Sequence, residues 1–279
     1  MSITQAQIAE MVARVRARRP LLHHITNYVT VNGVANITLC MGALPVMAQA
    51  REEVEEMVES ANALVLNLGT LWPEQVEAMV MAGRRANQLG IPIILDPVGV
   101  GATKMRTDSA LRLLDELSFA VVRGNAAEMA VLAGATAGVE AKIRGVESIG
   151  GCVDPAGVAA ELARQRHCVA AVTGPVDVVS DETRCVRVAN GHAMMGRVTG
   201  TGCMATAVIG ACAAVEPDFV LATAAALAAY GLSGERAAAR SRGPGTFQVQ
   251  LFDALAELTA QDLLSGVRVR EERAPRLRD

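Results

Sequence analysis

Residues 63–97 read ALVLNLGTLWPEQVEAMVMAGRRANQLGIPIILDP, and their patterning sets the expectation for the rest of the chain. Two apolar runs of strand length, 63–68 and 91–95, lie on either side of Pro73–Leu89, which has the length and periodicity of an amphipathic helix. Neither run alternates apolar with polar residues, and such uninterrupted runs are typical of strands that are buried on both faces of a parallel sheet. The segment therefore predicts a strand–helix–strand unit of an α/β protein.

The same alternation extends outward in both directions. Further apolar runs of strand length are 21–25, 119–122, 169–173, 176–180 and 185–188, and helix-like stretches are 52–61, 108–117, 125–132 and 155–166. We therefore predict an α/β fold with a mostly parallel central sheet and helices on both faces. The last two runs are too close for a crossover helix, which predicts an antiparallel hairpin at one edge.

The pattern is helical throughout from Thr201 onward, and the chain contains neither a repeat nor a linker. We therefore expect one domain over residues 1–266. The Arg-rich segment 267–279, which contains Pro275, is expected to be a frayed tail.

Composition and charge exclude several classes of protein. Of the 279 residues, 51% are hydrophobic and 20% are charged, which gives the chain enough apolar surface for a large core and excludes general disorder. A net charge of −3 is too balanced for a surface that binds nucleic acid or an anionic membrane. The most apolar region, 203–234, is interrupted by Glu216, Pro217 and Asp218, so neither half reaches the roughly 18 residues that span a bilayer.

The six cysteines form no CxxC pair, and the N-terminus carries charges where a secretory signal would be apolar. A disulfide framework or a zinc site is therefore not expected. We expect a cytoplasmic protein with reduced thiols.

The carboxyl ends of the strands are the expected location of the chemistry, because ligands of open α/β sheets bind there. One predicted strand is followed by Asp96-Pro97-Val98-Gly99-Val100-Gly101, a carboxylate at a sharp turn. Asp96 is therefore either an acid beside a metal or phosphate, or the cap of a turn.

The next strand ends at Arg123-Gly124-Asn125-Ala126-Ala127-Glu128. Asn125 and Glu128 have the spacing of a capping box, which would give both residues a structural role. Arg123 can reach phosphate oxygens through its guanidinium. We expect a phosphate clamp and a carboxylate suited to hydrated Mg²⁺ in one patch.

The segment VTGTGCMA, residues 198–205, opens a long helix of small residues. Gly200 and Gly202 would let backbone N–H groups at the helix N-terminus approach an anion. The same field is expected to lower the pKa of Cys203, although a buried structural cysteine behind a glycine-rich turn is the alternative. The segment also fits G-x-G-x-x-A, but it lies too late in the chain for a dinucleotide-binding fingerprint and lacks the acid expected about 20 residues on.

Two segments near the N-terminus have the character of pocket walls. One contains Asn27, directly after a predicted strand, and the other contains Met47. A methionine can pack against a flat heterocycle, but it is more often a core residue. Near the other end, Gly243 to Gly245 are expected to end one helix, and Thr246 is expected to cap a helix over 247–258, with nucleotide contact as the alternative.

In these segments the chain resembles the hydroxyethylthiazole kinases, which are thiamine-salvage enzymes of the ribokinase-like superfamily. The matching stretches occur in the same order over nearly the whole length: HHITNYVTVNGVAN (23–36), GALPVMAQA (42–50), EEVEEMV (52–58), ALVLNLGTL (63–71), ILDPVGVGAT (94–103), VVRGNAAEMAVLAG (121–134), AVTGPVDVVSD (171–181), GRVTGTGCMATA (196–207) and GPGTFQ (243–248). Each stretch alone is weak, but the ordered set is specific. Leu44 and Gln49 depart from the residues that are commoner in the family, which bears on substrate fit.

The resemblance implies a ribokinase-like fold and ATP-dependent phosphorylation of the primary hydroxyl of 4-methyl-5-(2-hydroxyethyl)thiazole. It implies a homotrimer with active sites at the subunit interfaces, and Cys203 where many related kinases carry a catalytic aspartate. The implied ligand contacts are Met47, Gly200 and Asn27 for the substrate, Arg123 and Thr173 for ATP, and Asp96 and Glu128 for Mg²⁺.

Three other functions remain open at this point. A related kinase could act on a different small alcohol, such as a hydroxymethylpyrimidine. A protein that senses a nucleotide or a thiazole without catalysis would need the same pocket, although the set of Asp96, Arg123, Glu128 and Cys203 argues against it. A dehydrogenase is disfavoured because the glycine-rich segment has the wrong context.

Overall fold

The strands and helices of the chain alternate from the N-terminus to the end of the sheet. The computed structural model describes residues 2–134, 142–144, 147–149 and 154–275. Its strands are β1 (Leu21–Ile25), β2 (Leu44–Val46), β3 (Ala63–Asn67), β4 (Ile93–Asp96), β5 (Val121–Asn125), β6 (Lys142–Arg144), β7 (Glu147–Ile149), β8 (Val169–Thr173), β9 (Asp177–Ser180), β10 (Arg184–Val188) and β11 (Val269–Arg273). Its helices are α1 (Gln5–Arg18), α2 (Val31–Met41), α3 (Val54–Glu59), α4 (Pro73–Leu89), α5 (Lys104–Glu116), α6 (Ala126–Leu132), α7 (Pro155–Arg166), α8 (Thr201–Ala213), α9 (Phe219–Ala239), α10 (Pro244–Ala256) and α11 (Ala260–Gly266), with a 3-10 helix at Ala193–Arg197.

Within the described residues, nine of these strands form one sheet in the order β11-β10-β9-β8-β5-β4-β3-β1-β2. The six strands from β8 to β2 run parallel, whereas β9 pairs antiparallel with β8, β10 with β9 and β11 with β10. The mostly parallel sheet and the antiparallel hairpin of β9 and β10 confirm the expectations from the sequence, but the predicted edge position is wrong, because β11 lies outside β10.

Helices cover both faces of this sheet, as predicted. Side chains along β3 alternate between two apolar cores: Ala63 and Val65 pack with α1, α2, α8 and α9, whereas Leu64 and Leu66 pack with α4, α5 and α7. This alternation follows from the pleat of a strand, in which successive side chains point to opposite faces. A strand buried on both faces therefore has apolar residues at successive positions, as β3 has from Ala63 to Leu66.

Helices α4 and α7 have the predicted bounds, because each starts with a proline and ends at a residue in the left-handed conformation, Gly90 or His167. Helix α5 begins at Lys104, earlier than predicted, because the Thr103 hydroxyl accepts a hydrogen bond from the Arg106 N–H. Helices α1 and α2 and the short strands β2, β6 and β7 were not predicted from the sequence.

Two expectations are wrong for Val269–Arg273. The C-terminal segment was expected to fray, and the chain was expected to be helical throughout from Thr201. Val269–Arg273 instead form β11, which pairs with β10 along its whole length. Without β11, the backbone groups of β10 would lie unpaired at a sheet edge. The Arg187 Nε–Glu272 Oε1 contact of 2.8 Å adds an ion pair across the two strands. Residues 276–279 of the predicted tail lie outside the described residues.

The expected cap at Thr246 is also wrong in detail. Helix α10 begins at Pro244, with Gly243 as its N-cap, so Thr246 lies inside the first turn. Its hydroxyl accepts hydrogen bonds from the N–H groups of Arg242 and Gly243. The predicted helix therefore starts three residues earlier, and the expectation that Gly243 to Gly245 end a helix is wrong, because α9 ends at Ala239.

Five cysteines are among the described residues, and all of them are free thiols, whereas Cys152 lies outside. No helix in the described part of the chain is both long and apolar enough to cross a membrane.

Candidate active site

Polar side chains gather at the carboxyl ends of the central parallel strands. Asn67 and Asp96 end β3 and β4 and are directly paired, and Asn125 and Thr173 are paired in the same way at the ends of β5 and β8. The strand order therefore brings residues that are distant in sequence to one edge of the sheet. Arg106 fixes the loops above this edge, since its guanidinium donates to the carbonyl oxygens of Leu68, Gly69 and Val98.

Asp96 is almost completely buried, and its two carboxylate oxygens have different surroundings. Oδ2 accepts hydrogen bonds from Asn67 Nδ2 at 2.8 Å and from Thr206 Oγ1 at 3.0 Å. Oδ1 has no hydrogen-bond partner and lies 3.7 Å from Arg123 Nη1. Burial raises the pKa of Asp96, while the positive charge of Arg123 opposes that rise.

Arg123 is held between a strand end and the first turn of α8. Its Nη2 donates to Thr173 Oγ1 at 2.6 Å, and the Thr173 hydroxyl donates in turn to the Gly124 carbonyl. A Cβ atom at Gly202 would lie only 2.8 Å from Arg123 Nη1, so glycine is needed there for the guanidinium to approach the helix. Arg123 and Thr173 therefore lie together, as the sequence interpretation requires.

Glu128 forms the predicted capping box with Asn125. The Asn125 side chain accepts from the N–H groups of Ala127 and Glu128, while Glu128 Oε2 accepts from the Asn125 N–H. The other oxygen, Oε1, accepts from the Gly99 N–H at 2.7 Å in the loop after β4. Burial, with the nearby charge of Asp96, raises the pKa of Glu128 to about 7.

The N-terminus of α8 is shaped by the glycine-rich segment that precedes it. Gly200 has φ of +89°, and a Cβ atom there would come within 2.7 Å of the Thr30 methyl group, so both conformation and space favour glycine. Tyr230 lies in α9, and its hydroxyl donates a hydrogen bond of 3.0 Å to the Thr201 carbonyl. The first turn of α8 is therefore held from two sides.

Cys203 is the third residue of α8, and Asn27 Nδ2 lies 3.6 Å from its sulfur as a hydrogen-bond donor. The prediction that the helix lowers the pKa of this thiol is wrong. Burial and the charge of Asp96 raise it, and they outweigh the nearby hydrogen-bond donors and the charge of Arg123. At neutral pH, Cys203 is therefore a thiol.

Two cavities of about 490 Å³ each meet at this site. One is lined by Thr173, Asp177, His192, Leu227 and Tyr230, and the other by Asp96, Asn125, Glu128, Gly200 and Cys203. Arg123, Met195, Gly196, Thr201 and Gly202 line both. The structure thus forms two adjacent compartments, with the guanidinium of Arg123 and the first turn of α8 between them.

Two predicted substrate contacts, Met47 and Asn27, line neither of the two compartments formed by the described residues, although Asn27 contacts the Cys203 sulfur at the edge of one of them. Met47 follows β2 and is partly buried against the apolar core. The sequence interpretation also missed Asn67, Thr206 and Asp177. The position of Asn67 at the end of a strand was the available signal, whereas Thr206 lies inside a helix and carries no such signal.

A model of the hydroxyethylthiazole kinase family matches residues 12–261 of the chain. The chain belongs to this family. A hydroxyethylthiazole kinase from Methanocella arvoryzae is 54% identical over 94% of this chain and 97% of that protein, and one from Methanoculleus marisnigri is 56% identical over 94% and 93%.

The solved structures agree with this assignment. A hydroxyethylthiazole kinase protein from Pyrococcus horikoshii is 43% identical, covers 95% of this chain and 98% of its own, and has a TM-score of 0.87. A ribokinase-like superfamily protein from Enterococcus faecalis is only 12% identical, with a TM-score of 0.63 over 92% of this chain and 96% of that one. The second likeness concerns the fold alone, and it confirms that this family member has a ribokinase-like fold.

Proposed function

We propose that this chain transfers the γ-phosphoryl group of ATP to the primary hydroxyl of 4-methyl-5-(2-hydroxyethyl)thiazole, a step in thiamine salvage. The observation that carries the proposal is the identity of more than half of the residues with proteins named hydroxyethylthiazole kinase, over 94% of the chain. Two adjacent compartments separated by a guanidinium and a helix N-terminus are what a two-substrate phosphoryl transfer needs.

ATP would bind with its base and ribose in the compartment beside Tyr230 and with its phosphates at Arg123 and Thr173. The guanidinium would offer donors to phosphate oxygens, and the free N–H groups at the start of α8 would add partial positive charge. Phosphoryl transfer depends mainly on positioning and on neutralising charge, and these residues supply both.

Asp96 and Glu128 fit a site for Mg²⁺. Oδ1 of Asp96 is buried without a hydrogen-bond partner, and Glu128 is the second carboxylate that lines the same compartment. The described residues contain no group of three or more metal-ligating side chains, which suits Mg²⁺ because this ion keeps several waters and shares the substrate phosphates. When bound with ATP, Mg²⁺ would neutralise charge on the phosphates.

The thiazole alcohol would occupy the second compartment beside Gly200 and Cys203, with Asn27 behind the Cys203 sulfur. Met47 would contact the thiazole ring in the site of a neighbouring subunit. The hydroxyl oxygen of the alcohol attacks the γ-phosphorus while the bond to the β–γ bridging oxygen breaks, and ADP leaves. Cys203 would orient the hydroxyl as a neutral thiol, and the hydroxyl proton would pass to an oxygen of the transferred phosphoryl group. Because the pKa of Cys203 is raised, general-base catalysis by this thiol is modest at neutral pH.

The active unit would be a homotrimer with sites at the subunit interfaces. In support, Tyr28 and Val29 expose 71% and 60% of their surface although they directly follow Asn27, a residue of the site. A neighbouring subunit that covered these side chains would lie beside the second compartment. Free thiols at all five described cysteines support a cytoplasmic location.

The decisive experiment measures ADP release from Mg-ATP with and without the thiazole alcohol and identifies the product by mass. Thiazole-dependent ADP together with a phosphorylated thiazole is the expected result. Hydroxymethylpyrimidine and other small alcohols serve as comparison substrates. If folded protein binds ATP but shows no dependence on the thiazole, the proposal is wrong, and a kinase for another alcohol or a sensor takes its place.

A further inference from the structure

We infer that Asn67 is a positioning residue that aligns the carboxylate of Asp96 with the substrate-side amide of Asn27. The inference rests on the proposed function, since it concerns the geometry of that same site. Asn67 ends β3, is buried, and lies between the two residues that it would align. Its side-chain amide contacts both of them at 2.8 Å.

The orientation of the Asn67 amide is fixed by the backbone. The Gly69 N–H lies 2.9 Å from Oδ1 of Asn67, and a backbone N–H can only donate, so this atom is the oxygen. Nδ2 therefore faces Asp96 and donates to its Oδ2. With Thr206 Oγ1 as a second donor to the same oxygen, Oδ2 is held in place and Oδ1 is left facing Arg123.

The Asn27 amide is fixed in the same way. Its Oδ1 accepts from the Thr30 N–H at 3.0 Å, so its Nδ2 is the group that faces Asn67 Oδ1 and the sulfur of Cys203. The two hydrogens of Nδ2 thus serve Asn67 and Cys203. Rotation of the Asn67 amide would place two donors against each other and release Asn27 from this orientation.

A glycine supports this arrangement from the other side of Asn27. A Cβ atom at Gly69 would lie 2.7 Å from the Cβ, Cγ and Nδ2 atoms of Asn27, so the loop after β3 leaves room for Asn27 only because residue 69 is glycine. Asn67 and Gly69 are two residues apart and both contact Asn27. The end of β3 therefore determines where Asn27 lies.

The two halves of the Asn67 amide can be separated by substitution. Asn67→Asp keeps an oxygen for Asn27 and Gly69 but loses the donor to Asp96, whereas Asn67→Ala loses both contacts. Asn67→Asp is expected to lower kcat at least about 10-fold, because it removes a hydrogen bond to a charged group, and to leave KM for the thiazole within about twofold. Asn67→Ala is expected to lower kcat similarly and to raise KM for the thiazole severalfold as well.

A binding measurement without ATP or Mg²⁺ gives a readout that is independent of turnover. Calorimetry with the thiazole alcohol is expected to give an unchanged Kd for Asn67→Asp and a weaker one for Asn67→Ala. Asn27→Ala is also expected to weaken binding. In the Asn27→Ala background, Asn67→Ala should cause no further change in Kd, because the effect passes through Asn27.

Asn87→Asp is the matched control. The Asn87 side-chain amide also contacts two groups, the carbonyl and the N–H of Ser118, but it lies outside the site. It is expected to keep wild-type kinetics. Asn67→Ser, which is too short to reach both partners, replaces the alanine variant if the latter does not fold. Equal effects of Asn67→Asp and Asn67→Ala on thiazole binding, or additive effects of the Asn27 and Asn67 variants, would overturn the inference. A wild-type chain without thiazole-dependent turnover would instead overturn the proposed function.

Discussion

At Gly202 the absence of a side chain lets the guanidinium of Arg123 lie against the first turn of α8. A Cβ atom would stand 2.8 Å from Nη1 and 3.1 Å from Nη2, and the same guanidinium also donates to Thr173. Since Nη2 already has this short bond, the guanidinium cannot move away without losing it. One residue thus couples the start of a helix to the proposed ATP site.

Gly202→Ala is expected to raise KM for ATP or lower kcat about 10-fold or more, because the new methyl group displaces Arg123. The stability of the fold should change little, since alanine is favourable in a helix. Steady-state kinetics with varied ATP, together with thermal unfolding, measures both. Gly245→Ala is the control: Gly245 is likewise the second residue of its helix but has open space around it. Equal kinetics of the two variants would contradict the role of Gly202.

Cys203→Ala is expected to retain measurable turnover, within about 100-fold of the wild type. The raised pKa keeps Cys203 protonated at neutral pH, and general-base catalysis contributes at most a modest part of a phosphoryl transfer. Cys212→Ala, a change at a fully buried thiol of the same helix, controls for effects on packing. Loss of all turnover in folded Cys203→Ala alone would show that the thiol is essential.

His24 makes the stability of the fold sensitive to acid. It is buried, its Nδ1 has no partner, and burial lowers its pKa to about 3 from a usual 6.5. Between these values the unfolded chain binds a proton that the folded chain does not, so stability is complete above about pH 6.5 and falls as the pH drops toward 3. The loss is about 1.4 kcal/mol per pH unit for this one group.

Urea unfolding between pH 7 and 4 tests this expectation. His24→Leu should show a shallower decline of the free energy of unfolding than the wild type, while His23, whose pKa is also lowered by burial, continues to contribute. The same substitution at the exposed His192 is a control that should leave the wild-type slope. Identical slopes for all three proteins would show that His24 is not the group responsible.

Residues at the ends of strands could be predicted from the sequence, whereas their partners from other elements could not. Asp96 and Arg123 are visible because each follows an apolar run directly, and Glu128 is visible because it has capping-box spacing from Asn125. Thr206 lies inside α8 and contacts Asp96, which is 110 positions away in the sequence. No local sequence pattern predicts such a contact. The pKa of Cys203 was predicted in the wrong direction because burial, which the sequence does not give, together with the charge of Asp96 raises it.

At the scale of elements, the boundaries that the sequence predicted best are those with strong local signals. Proline at the first position and a left-handed residue at the end define α4 and α7. Strand β2 has only three residues, one of them Pro45, and its pairing with β1 is what makes it a strand. Strand β11 is charged and half-exposed, so it contains no apolar run from which a strand could be predicted.

Removal of residues 269–279 is expected to lower the melting temperature by about 5 °C or more and to promote aggregation. Without β11, the backbone groups of β10 form an open sheet edge that can pair with another chain. Arg270→Ala removes an exposed side chain of β11 but keeps the backbone pairing, and it should behave as the wild type. Thermal unfolding and light scattering compare the proteins, and a truncated chain as stable as Arg270→Ala would show that β11 contributes nothing.

For the whole molecule, the arrangement of surfaces points to assembly. Exposed Tyr28 and Val29 lie in the loop after β1, directly after a residue of the site. If the proposed trimer forms through this surface, Tyr28→Glu combined with Val29→Glu is expected to reduce the mass in solution to that of one chain and to lower thiazole-dependent turnover. Leu89→Glu, at an apolar side chain that is also exposed but ends α4, is the matched control. Multi-angle light scattering decides, and an unchanged mass for the double variant would place the interface elsewhere.

The wall shared by the two cavities has a consequence for how this enzyme can change over evolutionary time. Arg123, Met195, Gly196, Thr201 and Gly202 border both compartments, so a substitution at any of them alters the fit of both substrates at once. Acceptance of a new alcohol is therefore least costly through the residues that border one compartment alone, such as Val198 and Thr199. Because of the shared wall, substitutions that change the preferred alcohol without affecting ATP are expected at residues that border the second compartment alone.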